Sequence, residues 1–519
     1  MGSSTATELG VRTANVASLV AFSKAYAIVV GGITFIIIAR LLGPSGYGVY
    51  ILALGIAGFI GAFGSLNISP YYQKYIPKLF MGGESHKLGG TIWNSLLLLL
   101  IIGIVLVLIG FAISGLVAHA IFHSNISAGI IDVAMTTVLF SLLYTALYAI
   151  LISFGKGKQV STTSVLYRTL QSAISIPLVL LGYGPLGAVT GYLVGLIFAV
   201  ILNTAFVARL SRPILRLGSM RPLAKEVFSF TAPLTGASII GSAISNFSVI
   251  FLGSLFLPAV VGAYGAASNI GTFIDMITGS ISIVLLPMFA TAIASTTMRS
   301  KLGALYSNSV YLGLLFAMPV IFYVTALSGA FVNSLFASAY DNAALYISLI
   351  SIGILVGLVS SYGSNLLMGL GDVKRVFKYA AISGVAQLAS LVITVPTFGA
   401  IGVIASTLFV GGAVYDYLYL RYISKELRMG MNSNMLPLVI ANVAVFAVLL
   451  VIHFSGLSNG MQLVLGLAVL AMLYPALLGI TRAIGQEEIR ILGKVGDGIP
   501  VFGTWLKALL AYTQLFMRQ

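Results

Sequence analysis

The chain has 519 residues, of which 59% are hydrophobic and only 8% are charged. A soluble domain needs a larger charged surface, so this composition predicts a protein that lies in a lipid bilayer. The formal net charge of +15 is spread over short segments between apolar runs, which argues against nucleic acid as a partner. Because the chain has no cysteine, disulfides and thiolate metal sites are excluded, and neither a metal nor a cofactor is expected.

Apolar runs of about 20 residues recur along the chain, and each is long enough to cross a bilayer as a helix. The predicted fold class is therefore all-α and polytopic. The runs predict fourteen transmembrane helices, at about Val16–Arg40, Gly48–Ile68, Thr91–Ala118, Ile130–Ser153, Thr162–Gly182, Gly187–Ala208, Val227–Leu257, Gly262–Pro287, Ala304–Ser328, Ala343–Met368, Val376–Val395, Ala400–Arg421, Leu436–Phe454 and Met461–Arg482.

Lys and Arg are distributed asymmetrically about these helices. All but three of the 27 basic residues either precede the first helix or follow an even-numbered one. Since cytoplasmic loops are enriched in Lys and Arg, both termini are predicted to be cytoplasmic, in a multi-pass protein of the cell membrane. The three exceptions are Lys24, Arg40 and Arg168, which lie within or at the end of predicted helices.

The sequence repeats at a spacing of about 215 residues. Residues 44–50 (PSGYGVY) match residues 258–264 (PAVVGAY), and residues 183–188 (YGPLGA) match residues 398–403 (FGAIGV). The repeat predicts two six-helix bundles in the same orientation, related by a pseudo-two-fold axis near the membrane normal. The expected parts are an N-terminal lobe (1–208), a basic cytoplasmic linker (209–226), a C-terminal lobe (227–423), two extra helices (424–482), and a cytoplasmic tail (483–519) that is either interfacial or disordered.

Residues Ile38–Tyr50 (IARLLGPSGYGVY) resemble the signature of the polysaccharide flippases in the multidrug/oligosaccharidyl-lipid/polysaccharide (MOP) exporter superfamily. The stretch from Gly369 to Gly402, with its G-x-G and G-A-x-G patterns, resembles a later part of the same family. The resemblance extends from about Val16 to Arg421. It implies a MATE-like fold with two six-helix lobes around a cavity, alternating access, and export of lipid-linked oligosaccharides. Relatives that move peptidoglycan precursors carry basic residues on their second helix, whereas none is present here.

Lys24 lies within the first apolar run, about 12 Å along its helix from Val16. It either snorkels to the cytoplasmic interface or faces a hydrated central cavity. Its equivalent in the second repeat is Ser238, and a stripe of hydroxyl residues on one helix face either packs against another helix or lines water. By the repeat, Lys24 is predicted to face the same space as this stripe. The hydroxyl stripe comprises Thr231, Thr235, Ser238, Ser242 and Ser245.

Arg168 lies in the fifth predicted helix, on a face that also carries Ser164, Gln171, Ser172 and Ser175. It either lines the cavity or has a structural pairing or snorkelling role. Gln387 occupies the position of Gln171 in the second repeat, whereas Arg168 has no cationic counterpart there.

Two further ionisable residues are candidates. Arg40 lies about 160° around the first helix from Lys24, so it belongs to the same site only if the helix bends at Gly31-Gly32. Asp275 is near the centre of the eighth helix and is either the counter-ion of a buried cation or a site for a coupling ion, H⁺ or Na⁺. The candidate substrate-binding residues are therefore Lys24, Arg40, Arg168, Gln171 and Ser238, with Asp275 as the ion-linked residue.

These features favour a flippase that carries a polyprenyl- or dolichyl-diphosphate-linked oligosaccharide through the membrane for assembly of surface polysaccharide or glycoprotein. Lys24 and Arg168 would attract the diphosphate, the hydroxyl stripe would contact sugar, and membrane lipids would surround the lipid tail. The alternative is a cation-coupled multidrug exporter of the same fold, although a cavity for cationic drugs would require acidic groups. A glycosyltransferase is not expected, because the longest outward loop, about Gly329–Asn342, offers only one carboxylate, Asp341.

Overall fold

The computed structural model describes residues 2–82, 85–122, 128–211, 220–294, 301–336, 338–427, 432–486, 488–490, 493 and 500–517. Within these residues the regular structure is helical throughout. The α-helices are α1 (Gly2–Gly64), α2 (Ser69–Met81), α3 (Ser85–Phe122), α4 (Gly129–Ser153), α5 (Gly157–Leu178), α6 (Gly184–Ser211), α7 (Met220–Leu255), α8 (Pro258–Ala294), α9 (Leu302–Ala326), α10 (Ser328–Phe336), α11 (Asn342–Gly369), α12 (Val373–Phe398), α13 (Ala400–Ile404), α14 (Gly412–Leu427), α15 (Met435–His453), α16 (Asn459–Ala468), α17 (Tyr474–Ile480) and α18 (Pro500–Met517).

Eleven stretches of the described helices are long and apolar enough to cross a membrane. Two of them, Phe22–Gly64 with 43 residues and Gly157–Leu210 with 54, are at least twice the length that one crossing needs. The first stretch turns at Gly43, and the second turns at Gly182 and Gly184, where φ is 91° and 55°. The predicted all-α polytopic fold is confirmed, whereas the number of fourteen crossings and the pseudo-two-fold axis stay predictions.

Helix α1 is two helical arms that fold back on each other at Gly43. The glycine has φ 63° and ψ 177°, a conformation that L side chains avoid, and Pro44 follows it. The ring centroids of Phe35 and Tyr47 are 5.9 Å apart, whereas a straight helix would separate these residues by roughly 18 Å. The arms, residues 2–42 and 44–64, therefore correspond to the first two predicted crossings.

The chain divides into two compact units, Met1–Gly265 and Ala266–Gln519. One core of the first unit is formed by apolar side chains of α2, α3, α4 and α6, among them Tyr72, Ile92 and Leu147. In the second unit, several tyrosines on α9 and α11 are buried, including Tyr306 and Tyr362. The predicted lobe and linker boundaries stay predictions, and residues 212–219 of the linker lie outside the described residues.

Helix α2 was not predicted, because its 13 residues are too short and too polar to be recognised as a membrane crossing. Pro70 lies in its first turn, a position where the missing N–H costs nothing. Tyr71, Tyr72 and Ile76 are fully buried against the first unit, while Gln73 and Lys78 are exposed. The Tyr72 hydroxyl lies 2.6 Å from Ser95 Oγ of α3, and burial raises the pKa of this tyrosine above its usual range.

Replacing Tyr72 by Phe is expected to lower the free energy of unfolding by about 1 kcal/mol, because it removes the hydrogen bond to Ser95 and leaves the ring in place. The measurement is the thermal midpoint of the purified protein. Tyr183→Phe is the matched control, because its ring is 59% exposed and its hydroxyl is not buried in the core. Equal midpoints for the two variants would contradict the assigned role of the Tyr72–Ser95 contact.

Local geometry recurs at the repeat spacing. Gly184 and Gly399, which the sequence match aligns, have nearly the same dihedral angles, with φ 55° and ψ −139° against φ 57° and ψ −128°. In the first unit a Cβ on Gly195 would lie 3.2 Å from the side chain of Gln171, and in the second unit a Cβ on Gly411 would lie 3.2 Å from Gln387. The matched glycines therefore serve the same packing purpose in both halves of the sequence.

The two P-x-x-x-G motifs of the repeat meet inside the first unit. A Cβ on Gly48 would overlap the carbonyl group of Pro258, and a Cβ on Gly262 would overlap the carbonyl group of Pro44. The contact is reciprocal, since each glycine receives the carbonyl of the other motif's proline. Small residues let membrane helices approach to backbone contact, and Cα–H···O contacts of this kind recur at such crossings.

The close contact continues along the second arm of α1 and helix α7. A Cβ on Gly55 would lie 3.3 Å from Val249, and a Cβ on Gly58 would lie 2.9 Å from the amide carbon of Asn246. The residue numbers rise on one helix as they fall on the other, so the two segments are antiparallel. We call this contact, from Gly48 and Gly262 to Asn67 and Ser238, the glycine seam.

The C-terminal helix α18 packs against α17 in the second unit. Leu510 and Thr513 are buried, and a Cβ on Gly479 would lie 2.7 Å from the Thr513 carbonyl oxygen. Leu515 on another face is 63% exposed. Residues 500–517 are thus helical rather than disordered, and the location of this helix at a membrane interface stays a prediction.

Candidate substrate site

Helices α1 and α5 of the first unit join through hydroxyl groups. The Tyr26 hydroxyl lies 2.7 Å from Thr169 Oγ1, and Thr34 Oγ1 lies 2.5 Å from Ser172 Oγ. From the first pair to the second, the residue numbers rise on both α1 and α5, so the two helices run in the same direction. They cross, because the pairs are eight residues apart on α1 and three residues apart on α5. The polar face predicted on the fifth helix is therefore partly a helix–helix contact.

Arg168 lies deep in the span that begins at Gly157, about 16 Å along the helix axis. Its Nη1 donates a hydrogen bond of 3.0 Å to Gln171 Oε1, and its guanidinium carbon lies 5.1 Å from the ring centroid of Tyr167. The side chain is half-buried. Because a guanidinium has five N–H donors, the contact with Gln171 leaves most of them for an anion.

Two tyrosines and a glycine pack around Tyr167, the residue before Arg168. The ring of Tyr167 is buried, with its centroid 5.5 Å from that of Tyr144 and 6.4 Å from that of Tyr192. A Cβ on Gly195 of α6 would lie 3.1 Å from the Tyr167 ring. The glycine therefore lets α6 approach α5 directly beneath Tyr167 and Gln171, which fixes the base from which Arg168 extends.

Lys24 is exposed, and among the described residues it forms no hydrogen bond or ion pair. The same arm of α1 has an exposed apolar stripe, with Phe22 66%, Val29 60% and Ile33 53% exposed. At 3.6 residues per turn, Lys24 lies about 200° around the helix from Phe22. The arm is thus exposed on two opposite sides, one apolar and one with an ammonium group.

Arg40 is exposed at the other end of the same arm, about 24 Å along the helix axis from Lys24. Gly31 and Gly32 have helical dihedral angles, and the only non-helical residue within α1 is Gly43. The spacing of 16 helical residues keeps Lys24 and Arg40 about 160° apart around the arm, and a shared site for them stays a prediction.

The hydroxyl stripe on α7 is divided between two environments. Thr235 Oγ1 donates a hydrogen bond of 2.8 Å to the Leu66 carbonyl, and Asn67 Nδ2 donates one of 3.3 Å to Ser238 Oγ. Thr235 and Ser238 thus lie at one end of the glycine seam, whereas Ser242 and Ser245 are exposed. The side chain of Thr231 lies outside the described residues.

Asp275 belongs to a polar strip in the second unit. It is exposed on α8, and Ser282 lies two turns further along the same face. Asn365 Nδ2 of α11 donates a hydrogen bond of 2.7 Å to Ser282 Oγ. Ser361 Oγ lies 3.5 Å from the same Ser282 oxygen. An acidic residue and amide and hydroxyl groups thus share this surface.

Sequence reasoning missed a polar clamp in the second unit. The peptide group that joins Val359 to Ser360 accepts a hydrogen bond of 2.8 Å from the Tyr306 hydroxyl and donates one of 2.8 Å to Asp416 Oδ1. Helices α9 and α14 therefore both bind the backbone of α11 within its helical segment. The available signal was an acidic residue, Asp416, inside an apolar span, but its position near the end of the predicted helix favoured an interfacial location.

No group of three or more His, Asp or Glu that could hold a metal ion occurs in the described part of the chain. The chemistry that the described site residues offer is cationic and hydroxylic in the first unit, and acidic and amide-rich in the strip of the second unit.

The long apolar helices, with polar faces between them, define an all-α polytopic membrane protein. Solved structures of the MOP superfamily share its fold. A lipid II flippase MurJ in an inward closed conformation has a TM-score of 0.66 at 14% identity, over 89% of this chain and 98% of that chain. A multidrug resistance MATE family transporter in an inward-facing conformation has a TM-score of 0.66 at 15% identity, over 77% and 94%. A MATE transporter in complex with MaL6 has a TM-score of 0.57 at 15% identity, over 80% and 95%.

The amino-acid sequence identifies the family. Residues 13–293, more than half of the chain, match the family described as polysaccharide biosynthesis protein, and the chain belongs to this family. No curated protein matches the sequence. The resemblance to polysaccharide flippases and the MATE-like fold are thereby confirmed.

Proposed function

We propose that the protein is a flippase for a lipid-linked oligosaccharide, carried on a polyprenyl or dolichyl diphosphate. Membership of the polysaccharide biosynthesis family supports a substrate of this class. The observation that carries the proposal is the half-buried guanidinium of Arg168 beside the α1–α5 contact, together with the exposed Lys24 of α1 and the lack of any Asp or Glu between residues 24 and 64 or along α5. A diphosphate is attracted to such a region, whereas an organic cation is not.

Arg168 is the principal diphosphate ligand in this proposal. Its planar guanidinium can form two parallel hydrogen bonds with phosphate oxygens, while Gln171 and the Tyr167 ring hold its orientation. Lys24 would add a second cationic group from the exposed side of α1 that lies opposite its apolar stripe. Ser238 and the exposed hydroxyls of Ser242 and Ser245 contribute hydrogen bonds to sugar.

Transport would proceed by alternating access of two lobes, residues 1–208 and 227–423, in the cytoplasmic membrane with both termini in the cytoplasm. The sugar head group would cross between the lobes while the lipid tail remains in the bilayer. Asp275 is the proposed site for a coupling ion, H⁺ or Na⁺, because it is an exposed carboxylate within the polar strip of the second unit.

A cation-coupled multidrug exporter is the second candidate, favoured by this acidic residue and by the fold shared with a MATE transporter. Under this alternative, cationic drugs would bind near Asp275 and the substitution Asp275→Asn would abolish drug resistance.

The deciding experiment uses the purified full-length chain in liposomes that contain a polyprenyl-diphosphate oligosaccharide with a fluorescent sugar. We expect an impermeant quencher to reach at least about tenfold more labelled sugar per minute than in protein-free liposomes, since spontaneous crossing of a charged sugar head group is slow. Cationic dyes in parallel liposomes should stay in place. Transport of the dyes without flipping of the oligosaccharide would establish the exporter instead.

A further inference from the structure

Five basic residues converge at one end of α12 and α14 in the second unit. Lys374, Arg375 and Lys378 lie in the first two turns of α12, and Arg421 and Lys425 lie in the last two turns of α14. We call these five residues the basic patch. Only two acidic residues, Asp372 and Glu426, belong to the same helix ends.

Aromatic contacts fix how the two helix ends meet. The guanidinium carbon of Arg375 lies 4.3 Å from the ring centroid of Tyr422, and the rings of Tyr379 and Tyr419 pack edge to face with centroids 5.2 Å apart. These two pairs place α12 and α14 antiparallel. Lys374 and Lys378 of one helix are thereby brought beside Arg421 and Lys425 of the other.

The acidic residues leave most of this charge unbalanced. Asp372 caps α12 by accepting a hydrogen bond of 3.1 Å from the Arg375 N–H, and its other oxygen lies 3.2 Å from Arg375 Nε. Arg421 donates a hydrogen bond of 3.3 Å to the neutral Tyr417 hydroxyl. Within the described residues, Lys374, Lys378 and Lys425 form no ion pair, and all three are exposed.

The basic patch lies at the ends of two helices that are long and apolar enough to cross a membrane. Two candidate spans, Val373–Phe398 and Ala400–Glu426, begin and end at it. Phe377 precedes Lys378, and Tyr417 accepts the hydrogen bond of Arg421. The two rings are 38% and 59% exposed, and aromatic rings of this kind are enriched at the level of lipid head groups. An occupant must therefore offer negative charge at head-group depth and apolar chains next to it.

We propose that the basic patch is a binding site for anionic phospholipids, with Lys374, Lys378, Arg421 and Lys425 around the head-group phosphate and Phe377 and Tyr417 against the upper acyl chains. Clusters of basic residues next to a membrane helix bind anionic lipids in this way, each charge contributing by a similar amount. The first turn of α12 adds the positive end of a helix dipole. The site is independent of the proposed transport of oligosaccharides, since it lies outside the candidate substrate residues.

The test measures lipid retention by the purified full-length protein. Protein in neutral detergent is mixed with equal amounts of phosphatidylglycerol and phosphatidylcholine, and the retained lipids are quantified by mass spectrometry. The variant is Lys374→Gln with Lys378→Gln. The matched control, Lys156→Gln with Lys158→Gln, removes the same charge at the start of α5, also at the boundary of two candidate spans.

We expect the wild-type protein to retain more phosphatidylglycerol than phosphatidylcholine, and the ratio to fall roughly tenfold in the Lys374/Lys378 variant. The control variant should change the ratio less than about twofold, and about 0.5 M salt should abolish the preference. Lys425→Gln, in a different helix, should give a smaller fall and provides a second measurement if the double variant folds poorly.

Three outcomes would overturn the proposal. An unchanged ratio in a folded Lys374/Lys378 variant would show that the basic patch holds no lipid. Equal losses in the variant and the control would show that net charge, rather than this arrangement of helices, selects the lipid. Displacement of phosphatidylglycerol by an equal concentration of inorganic pyrophosphate would show that the residues bind a soluble phosphate in preference to a membrane surface.

Discussion

The substitution Arg168→Glu is expected to reduce flipping of the lipid-linked oligosaccharide at least about hundredfold. Charge-assisted hydrogen bonds contribute about 1.5–3 kcal/mol each, so the loss of two from a bidentate contact already exceeds this factor, and the new carboxylate repels the diphosphate. Arg168→Lys keeps the charge but loses the planar fork, and we expect a reduction of about tenfold. The measurement is the initial rate of sugar exposure in liposomes that contain equal amounts of each protein.

The matched control is Lys158→Glu, an equal change of charge at an exposed position in the first turn of the same helix. Its rate should stay within about twofold of the wild type. Gln171→Glu tests the site without removing the arginine, since a carboxylate 3.0 Å from Arg168 Nη1 would neutralise it and slow flipping. A wild-type rate in folded Arg168→Glu protein would exclude Arg168 as the diphosphate ligand.

The helices were predictable because hydropathy over about 20 residues decides whether a segment enters a bilayer. The hydrogen-bond partner of each polar side chain was not predictable, because it depends on how two helices cross. Arg168 and Gln171 are three residues apart on one helix, so their contact follows from helical spacing. The bond between Tyr26 and Thr169 joins residues 143 positions apart and has no local signal.

For Ser238, helical spacing predicts the face on which the side chain lies but not what that face contacts. Spacing alone places it on a face with four other hydroxyl residues, and such a face packs against a helix or lines water. The structure divides the stripe between these two environments, because the turn after Gly64 brings Leu66 and Asn67 beside Thr235 and Ser238 but not beside Ser242. That turn includes Asn67 at φ 42°, a conformation that a hydropathy pattern does not encode.

The repeat was the most informative part of the sequence, and the structure gives one of its motifs a physical reason. Each repeat has a proline followed four residues later by glycine, and in the first unit each of these glycines accommodates the other motif's proline carbonyl. Each proline begins a helical segment, where its missing N–H costs little. Because glycine has no side chain, the facing proline carbonyl can approach its backbone more closely than any other residue would permit.

Gly48→Ala is therefore expected to be the most destabilising single methyl addition in the first unit, lowering the free energy of unfolding by about 3 kcal/mol or more. A Cβ at this position would lie 2.6 Å from the carbonyl carbon of Pro258, and a Cβ on Gly262 would lie 2.9 Å from that of Pro44. Both obstacles are backbone atoms, which cannot rotate away as a side chain does, so the glycine seam would have to separate. The measurement is the thermal midpoint and the yield of monodisperse protein in detergent.

Gly31→Ala is the matched control on the same helix. Nothing outside its own helix lies within 4 Å of a Cβ at Gly31, and the backbone there is helical, so we expect a change of at most about 1 kcal/mol, in the stabilising direction. Gly262→Ala should reproduce the loss seen with Gly48→Ala, and the double variant should cost less than the sum of the two, since one separation of the seam relieves both overlaps. Equal midpoints for Gly48→Ala and Gly31→Ala would mean that the two motifs do not hold the helices in backbone contact.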